Sequence, residues 1–456
     1  MTARSKGKGT LRLAAAAALL LVGAPAAWQT PAHAAAARSP VEAEVRGSSD
    51  RTLRHVYGLR SFRPFWIEGA SLSPAAELVL DRLETAEADG LDPDNYQVGR
   101  LREAFEGATR SPKRLARAEV LLSRAFIRYA RDLRATRSAE MTYVEPALIP
   151  TALSPAAALE RAALAAGDPG ALRQALATHP IYEQLRAAYV EWRDGGNQAM
   201  PAGMSAEQFD AKLRLNLARA RALPPLAERY VLVDAAAQRL WMYEQGRPVG
   251  SMRVIVGRAT EPTPMLAAQI RYAVLNPYWN VPPDLARTRV APKVLEQGIG
   301  HLRAQRYEVL TDWSDEAKPV DPKKIDWRAV ASGAVELPMR QLPGPKNSMG
   351  SMKFMFPNEF GVYLHDTPDK RLFGAADRKQ SAGCVRVEDA RRLARWLFGR
   401  VPTTKSTKPE QPVPLSAPVP VYITYLTAAP TPSGIALRED IYGRDGAGGV
   451  RVAAGR

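Results

Sequence analysis

The sequence predicts an α+β multidomain chain in which a helical half precedes a mainly β half, itself interrupted by an insertion. Three observations carry this. Residues 37 to about 225 are rich in Ala, Leu and Arg and place apolar residues at helical spacing. From Arg229 the period falls to two, with turn residues between short β-branched and aromatic runs. From about 290 to 350 the chain turns richer in Pro, Lys and Gly, which reads as an insertion over the sheet. At 456 residues the chain is also too long for one compact core.

The elements follow in order. Ser73-Pro74 opens a helix with Val79, Leu83 and Ala86 on one face, stopped at Gly90. A second runs from about Lys113 to Arg134, with Leu122, Phe126, Tyr129 and Leu133 at i, i+4, i+7 and i+11. A third carries Ile181, Leu185, Ala188 and Trp192, and a fourth begins at Ser205 with Gln208 completing a capping box. These stripes are core faces. Strands are expected at Tyr230 to Val233, Arg239 to Tyr243, Pro248 to Val256, Gln269 to Leu275, Phe360 to His365 and Val419 to Thr427, with a turn at Gln245-Gly246. Residues 401 to 418 read as a loop, and the chain after Asp445 as a frayed tail, 446–456.

Residues 1–34 read as a secretory signal peptide. Arg4, Lys6, Lys8 and Arg12 form its positive region, Leu13 to Val22 its apolar core and Ala32-His33-Ala34 its cleavage site. The apolar run is broken by Gly23 and Pro25, short of the roughly 20 residues a spanning helix needs. The expected location is therefore periplasmic, outside the inner membrane. Removing the leader leaves 59 basic against 47 acidic residues, or +12 of the formal +16. That balance suits either a polyanionic envelope or a solvated surface, and no zinc-finger spacing, RNP-type strand or Lys/Arg block points to nucleic acid.

The chain contains one cysteine, Cys384. This excludes an internal disulfide framework, a Cys-rich zinc site, a Cys-ligated iron–sulfur cluster and a CxxC redox pair. His33, His55, His179, His301 and His365 show no HxH or HExxH spacing, so neither a metal nor a cofactor is expected.

The informative stretch is Gly361-Val-Tyr-Leu-His-Asp-Thr-Pro368 followed by Ser381-Ala-Gly-Cys-Val-Arg-Val-Glu-Asp389. A thiolate near neutral pH needs a base or a positive potential. His365 can supply the first, and a helix read from Glu388 to Gly399 can supply the second from its N-terminal amides. Gly383 lets the backbone turn so that its own N–H and that of Cys384 converge on an oxyanion. Tyr363, two residues before His365 in a strand, faces the same side as a third donor. Ser381 can hydrogen-bond near the thiol, and Arg386 can hold a substrate carboxylate or brace the loop. Against this stands an ordinary packing role for a lone cysteine and a lone histidine, which the polar setting of Cys384 disfavours.

His365, fifteen intervening residues and Ser381-x-Gly383-Cys384-x-Arg386 resemble the signature of the L,D-transpeptidase (YkuD) catalytic domain, in the style of its large Gram-negative YcbB-type branch. Matching text includes Arg253-Val-Ile-Val-Gly257, Pro262-Thr-Pro264, Leu275 to Pro283, Lys353 to Asn358, Val421 to Thr427 and Ile441-Tyr-Gly-Arg-Asp445. The resemblance implies a helical scaffold domain at 37–225, a mainly β catalytic domain at 228–445, and a capping lid at about 290–350. It implies an exported enzyme that forms a Cys384 thioester with the third residue of peptidoglycan tetrapeptide stems and releases D-Ala. His365 would take the thiol proton, and Asp366 would help to orient the site. Transfer to another stem gives 3-3 cross-links; with water as acceptor the same site is a thiol carboxypeptidase or amidase, and a decayed site would leave a wall-binding scaffold. Carbapenems would acylate the thiol, other cell-wall enzymes would be potential partners, and Tyr278 and Trp279 would wall the groove unless they merely pack. Two departures stand out: Ala382 replaces the His that many members carry before Gly-Cys, and no helical peptidoglycan-binding repeat precedes the catalytic region.

Overall fold

In the chain's computed structural model, residues 39–446 are described, apart from 107–110, 135–139, 151–152, 166–167, 177, 196–199, 201–202, 225–227 and 432–433. The expected leader and nearly all of the expected tail lie outside the described residues.

The four helices read from the sequence form at Pro74–Glu84, Pro112–Asp132, Pro180–Arg193 and Ala206–Arg221. Each starts where the local chemistry asks. Ser73 and Ser111 accept from backbone N–H groups three residues on, ahead of Pro at the first helical position. Ser205 and Gln208 make a reciprocal capping box. Further helices at Arg51–Leu59, Val98–Glu106, Pro155–Leu164 and Pro169–Leu176 are only about two to three turns long, too short for a repeating apolar stripe to stand out in the sequence. The helix Pro112–Asp132 runs through this core with Leu122, Phe126 and Tyr129 almost wholly buried.

Beyond Arg229 eight strands close into a ring. In order around it they are Met352–Met355, Leu364–His365, Val385–Val387, Arg247–Gly257, Arg239–Glu244, Arg229–Asp234, Gln411–Thr424 and Leu266–Leu275, which pairs again with Met352–Met355. The inward residues of this period-two pattern, among them Val231, Leu240, Val254, Ile270, Leu364 and Val385, are fully buried. A helix at Ala390–Phe398 covers the sheet with Leu393, Ala394 and Leu397.

Three readings change. Residues 411–418, expected in a loop, belong to a strand from Gln411 to Thr424 whose pairing shifts register between Pro414 and Val419. Its prolines at 412 and 414 alternate, so their missing N–H groups share one edge while the other edge pairs with Leu266–Leu275. The strand expected over 360–365 is regular only at Leu364–His365. The insertion begins near Trp279 instead of 290: a small sheet joins Trp279–Asn280, Met339–Gln341, Tyr307–Leu310 and Pro319–Val320 over its own core of Val281, Val294, Trp327 and Met339.

The chain's last hairpin, Ala428–Thr431 with Gly434–Leu437, returns to the helical core, where Leu426, Ala428 and Ala429 are buried. Asp234 anchors the approach. Its carboxylate accepts from Leu426 N (3.0 Å) and pairs with Arg438 (2.8 Å) while itself almost completely buried. Burial raises this carboxyl and Arg438 opposes the rise. Arg438→Met should therefore lower stability by about 3 kcal/mol, read as a fall in thermal midpoint, because it strands a buried charge. An unchanged midpoint would show that the backbone donors suffice.

Candidate active site

The strand register builds the site. Leu364 pairs with Val385 and His365 with Arg386 in parallel, so Tyr363 lies level with Cys384. Alternation does the rest: Leu364 and Val385 fill the core, while Tyr363, His365, Cys384 and Arg386 share the opposite face. Val385 N donates to Tyr363 O at 3.1 Å and locks the two strands at this level.

His365 is buried, and its Nδ1 lies 2.6 Å from the carbonyl oxygen of Asp366. A carbonyl only accepts, so Nδ1 carries the proton and Nε2 is left as the free base. Burial first, and the charge of Arg386 second, push the imidazole pKa down to about 3, so it stays neutral near pH 7. Asp366 thus orients the histidine through its backbone, not through its carboxylate. The carboxylate instead accepts from Ser351 N and Oγ (both 2.8 Å) and from Lys370 (2.6 Å).

Cys384 is partly exposed, with Sγ 3.7 Å from the Gly361 carbonyl. Burial raises the thiol pKa, while Tyr363 and then Arg386 pull it down. The thiol donates to Gly361 and not to His365, so the resting pair is neutral. Alkylation by iodoacetamide should therefore rise through the alkaline range without a plateau near neutrality. A thiolate–imidazolium pair would instead give a flat rate from acid to neutral pH, which would overturn this assignment.

Gly383 has φ +99°, open only to glycine at low cost. Its carbonyl accepts from Thr263 Oγ1 at 2.8 Å. Because the peptide is planar and trans, this aims the Cys384 N–H to the opposite side, where an oxyanion would form. Ser381 does not reach the thiol; its hydroxyl donates to the Cys384 carbonyl at 2.5 Å and braces the loop. The expected helix N-terminus is also absent from the thiol: Cys384 leads into the strand Val385–Val387, and the helix starts at Ala390, capped by Asp389.

Arg386 lies on the His365 side, and its Nε has no hydrogen-bond partner among the described residues. Burial, then the charge of Arg289 on the insertion, lower its pKa. Such a desolvated guanidinium suits an anionic group of a substrate. Tyr278 lies under the Arg340 guanidinium at 4.3 Å, and Trp279 packs against Tyr307 and the core of the insertion. Thr263 and Gly361, which touch the site, carry no such role in the sequence reading; the Pro262-Thr-Pro264 text alone marked the first.

Residues 228–421 match the L,D-transpeptidase catalytic domain, YkuD, and residues 51–188 match a scaffold domain. Residues 228–421 are thus an L,D-transpeptidase catalytic domain. It is 31% identical over 241 residues to a Haemophilus influenzae protein whose own naming as an L,D-transpeptidase is provisional, covering 51% of this chain and 48% of that protein. The chain thus spans about half the length of that curated relative. Solved structures with likeness include a Mycobacterium smegmatis L,D-transpeptidase, at 12% identity and TM-score 0.21 over 43% of this chain and 58% of that one. A cysteine-to-serine variant of an Enterococcus faecium L,D-transpeptidase gives 12% identity and TM-score 0.21 over 53% and 82%. Within the L,D-transpeptidase domain lie Cys384, His365, Thr263 and the whole insertion.

Proposed function

We propose that this L,D-transpeptidase is exported to the periplasm and cross-links peptidoglycan through a Cys384 thioester. The observation that carries the reading is the His365 tautomer, fixed by the Asp366 carbonyl beside the level of the thiol, with the Cys384 N–H turned outward by Thr263.

In the acylation step Sγ attacks the carbonyl of the third stem residue, and the thiol proton passes to His365 Nε2. The Cys384 N–H and the Tyr363 hydroxyl stabilise the oxyanion. The C–N bond to D-Ala breaks as His365 returns the proton to the leaving amine. In the second step the amine of an acceptor stem attacks the thioester, His365 takes its proton and the thiolate leaves, recovering that proton. Arg386 is suited to a stem carboxylate. The same thiol is open to acylation by carbapenems, through ring opening at the β-lactam carbonyl.

Incubating the mature protein with disaccharide-tetrapeptide and weighing the products tests this. Cross-linked dimer with loss of D-Ala supports the transpeptidase; tripeptide alone moves the assignment to a carboxypeptidase using water. No change, with an unreactive thiol, would sink both.

A further inference from the structure

The Ile441-Tyr-Gly-Arg-Asp445 text has no role in the chemistry above, yet it lies against the turn that holds the nucleophile loop. The turn itself is tight. Thr263 Oγ1 accepts from Gly257 N (2.9 Å) and donates to Gly383 O (2.8 Å), with Thr263 fully buried. A side chain at Gly257 would meet the Glu261 carbonyl and the Thr263 amide, so no other residue fits there.

The terminal segment grips this turn from outside. The Tyr442 hydroxyl donates to Gly257 O (2.8 Å) and accepts from Thr263 N (3.4 Å), while Arg444 Nη2 donates to Thr263 O (3.2 Å). The Tyr442 ring stacks on Tyr425 at 5.1 Å, and the Arg444 guanidinium lies over both rings. The far end is fixed to the helical core. Asp445 pairs with Lys212 and Arg219 of the helix Ala206–Arg221, each at 2.8 Å, and accepts from Thr427 Oγ1 at 3.0 Å. Asp440 closes the segment by accepting from Arg444 N and Asp445 N.

We propose that residues 440–445 are a positioning strap: through Tyr442 and Arg444 they hold Thr263, Thr263 holds the Gly383–Cys384 peptide, and Asp445 ties that setting to the helix Ala206–Arg221. Thr263 is then a positioning residue that presents the Cys384 N–H to the oxyanion without touching substrate. The inference rests on the acyl-transfer reading of Cys384 and deepens it, giving the helical core a part in how the oxyanion donor is set. The physical requirement is small displacement, since misplacing a catalytic group by about 1 Å costs on the order of 10²-fold.

The test uses two reagents on the same thiol. With p-nitrophenyl acetate, Sγ bonds to the acyl carbon through an oxyanion, p-nitrophenolate leaves and the thiol proton passes to His365; iodoacetamide alkylates Sγ by displacing iodide with no oxyanion. In the mature protein, Thr263→Val should slow acylation about 10²-fold and leave alkylation within about twofold of the parent. Thr263→Ser should restore most of the acylation, and Tyr442→Phe and Asp445→Ala should show the same selective loss at about tenfold, each a partial misplacement. Equal losses with both reagents, no rescue by serine, or no effect of Asp445→Ala would overturn the strap. The probe is not a cell-wall fragment, so failure of the parent to process tetrapeptide would count against the proposed substrate while this comparison still decides the strap.

Discussion

Cys384→Ala should abolish acyl transfer, with a loss on the order of 10⁴-fold or more in turnover of disaccharide-tetrapeptide followed by mass. The chain has no second thiol to substitute, and the nearby Ser381 hydroxyl is engaged with the Cys384 carbonyl. The fold should survive. The loop is held by main-chain contacts that alanine keeps: Ser381 Oγ to the Cys384 carbonyl and Thr263 Oγ1 to the Gly383 carbonyl. A thermal midpoint close to the parent's, together with no thioester adduct, is the expected pair of results. Residual cross-linking in the variant would show that Cys384 is not the nucleophile.

His365→Gln should lower turnover at neutral pH by about 10² to 10⁴-fold, the usual worth of a positioned general base. The sign of its pH dependence follows from the thiol shift and the His365 tautomer. Burial holds the thiol pKa up, and the His365 tautomer leaves Nε2 free, so at neutral pH that nitrogen is the acceptor the parent offers for the thiol proton. Without the base the thiolate fraction grows tenfold per pH unit up to the raised thiol pKa. The deficit of the variant should therefore narrow steadily as pH rises from 7 toward 10. A constant deficit across that range would mean that His365 acts after thiol ionisation.

Much of this is legible in the residues themselves. The N-caps at Ser73 and Ser205 are written in side chains that satisfy the first amides of their own helices, and such local chemistry depends on a few neighbouring residues. The strands from Arg229 to Leu275 were equally clear, because one buried face imposes a period of two. The Gln411–Thr424 strand was hidden by its prolines, whose tolerance depends on which edge is paired, a property of the neighbouring strand and not of the segment. The assignments of Ser381 and Asp366 shifted for a similar reason. Residue type marks them as able to hydrogen-bond, but that the Ser381 hydroxyl meets the Cys384 carbonyl, and that Asp366 acts through its own carbonyl, is fixed by the turns that carry them.

The sequence alone named the thiol, the imidazole and the glycine between strand and nucleophile, because an unusual grouping of reactive types within one short stretch is itself the signal. Only the tertiary structure could show that the pair rests neutral, since desolvation by surrounding chains sets both pKa shifts. Only it could bring Thr263 and Tyr442, 179 residues apart, onto the two sides of one peptide turn. Side-chain chemistry is encoded locally, whereas the direction in which a buried amide points is decided by partners that meet after the chain has closed.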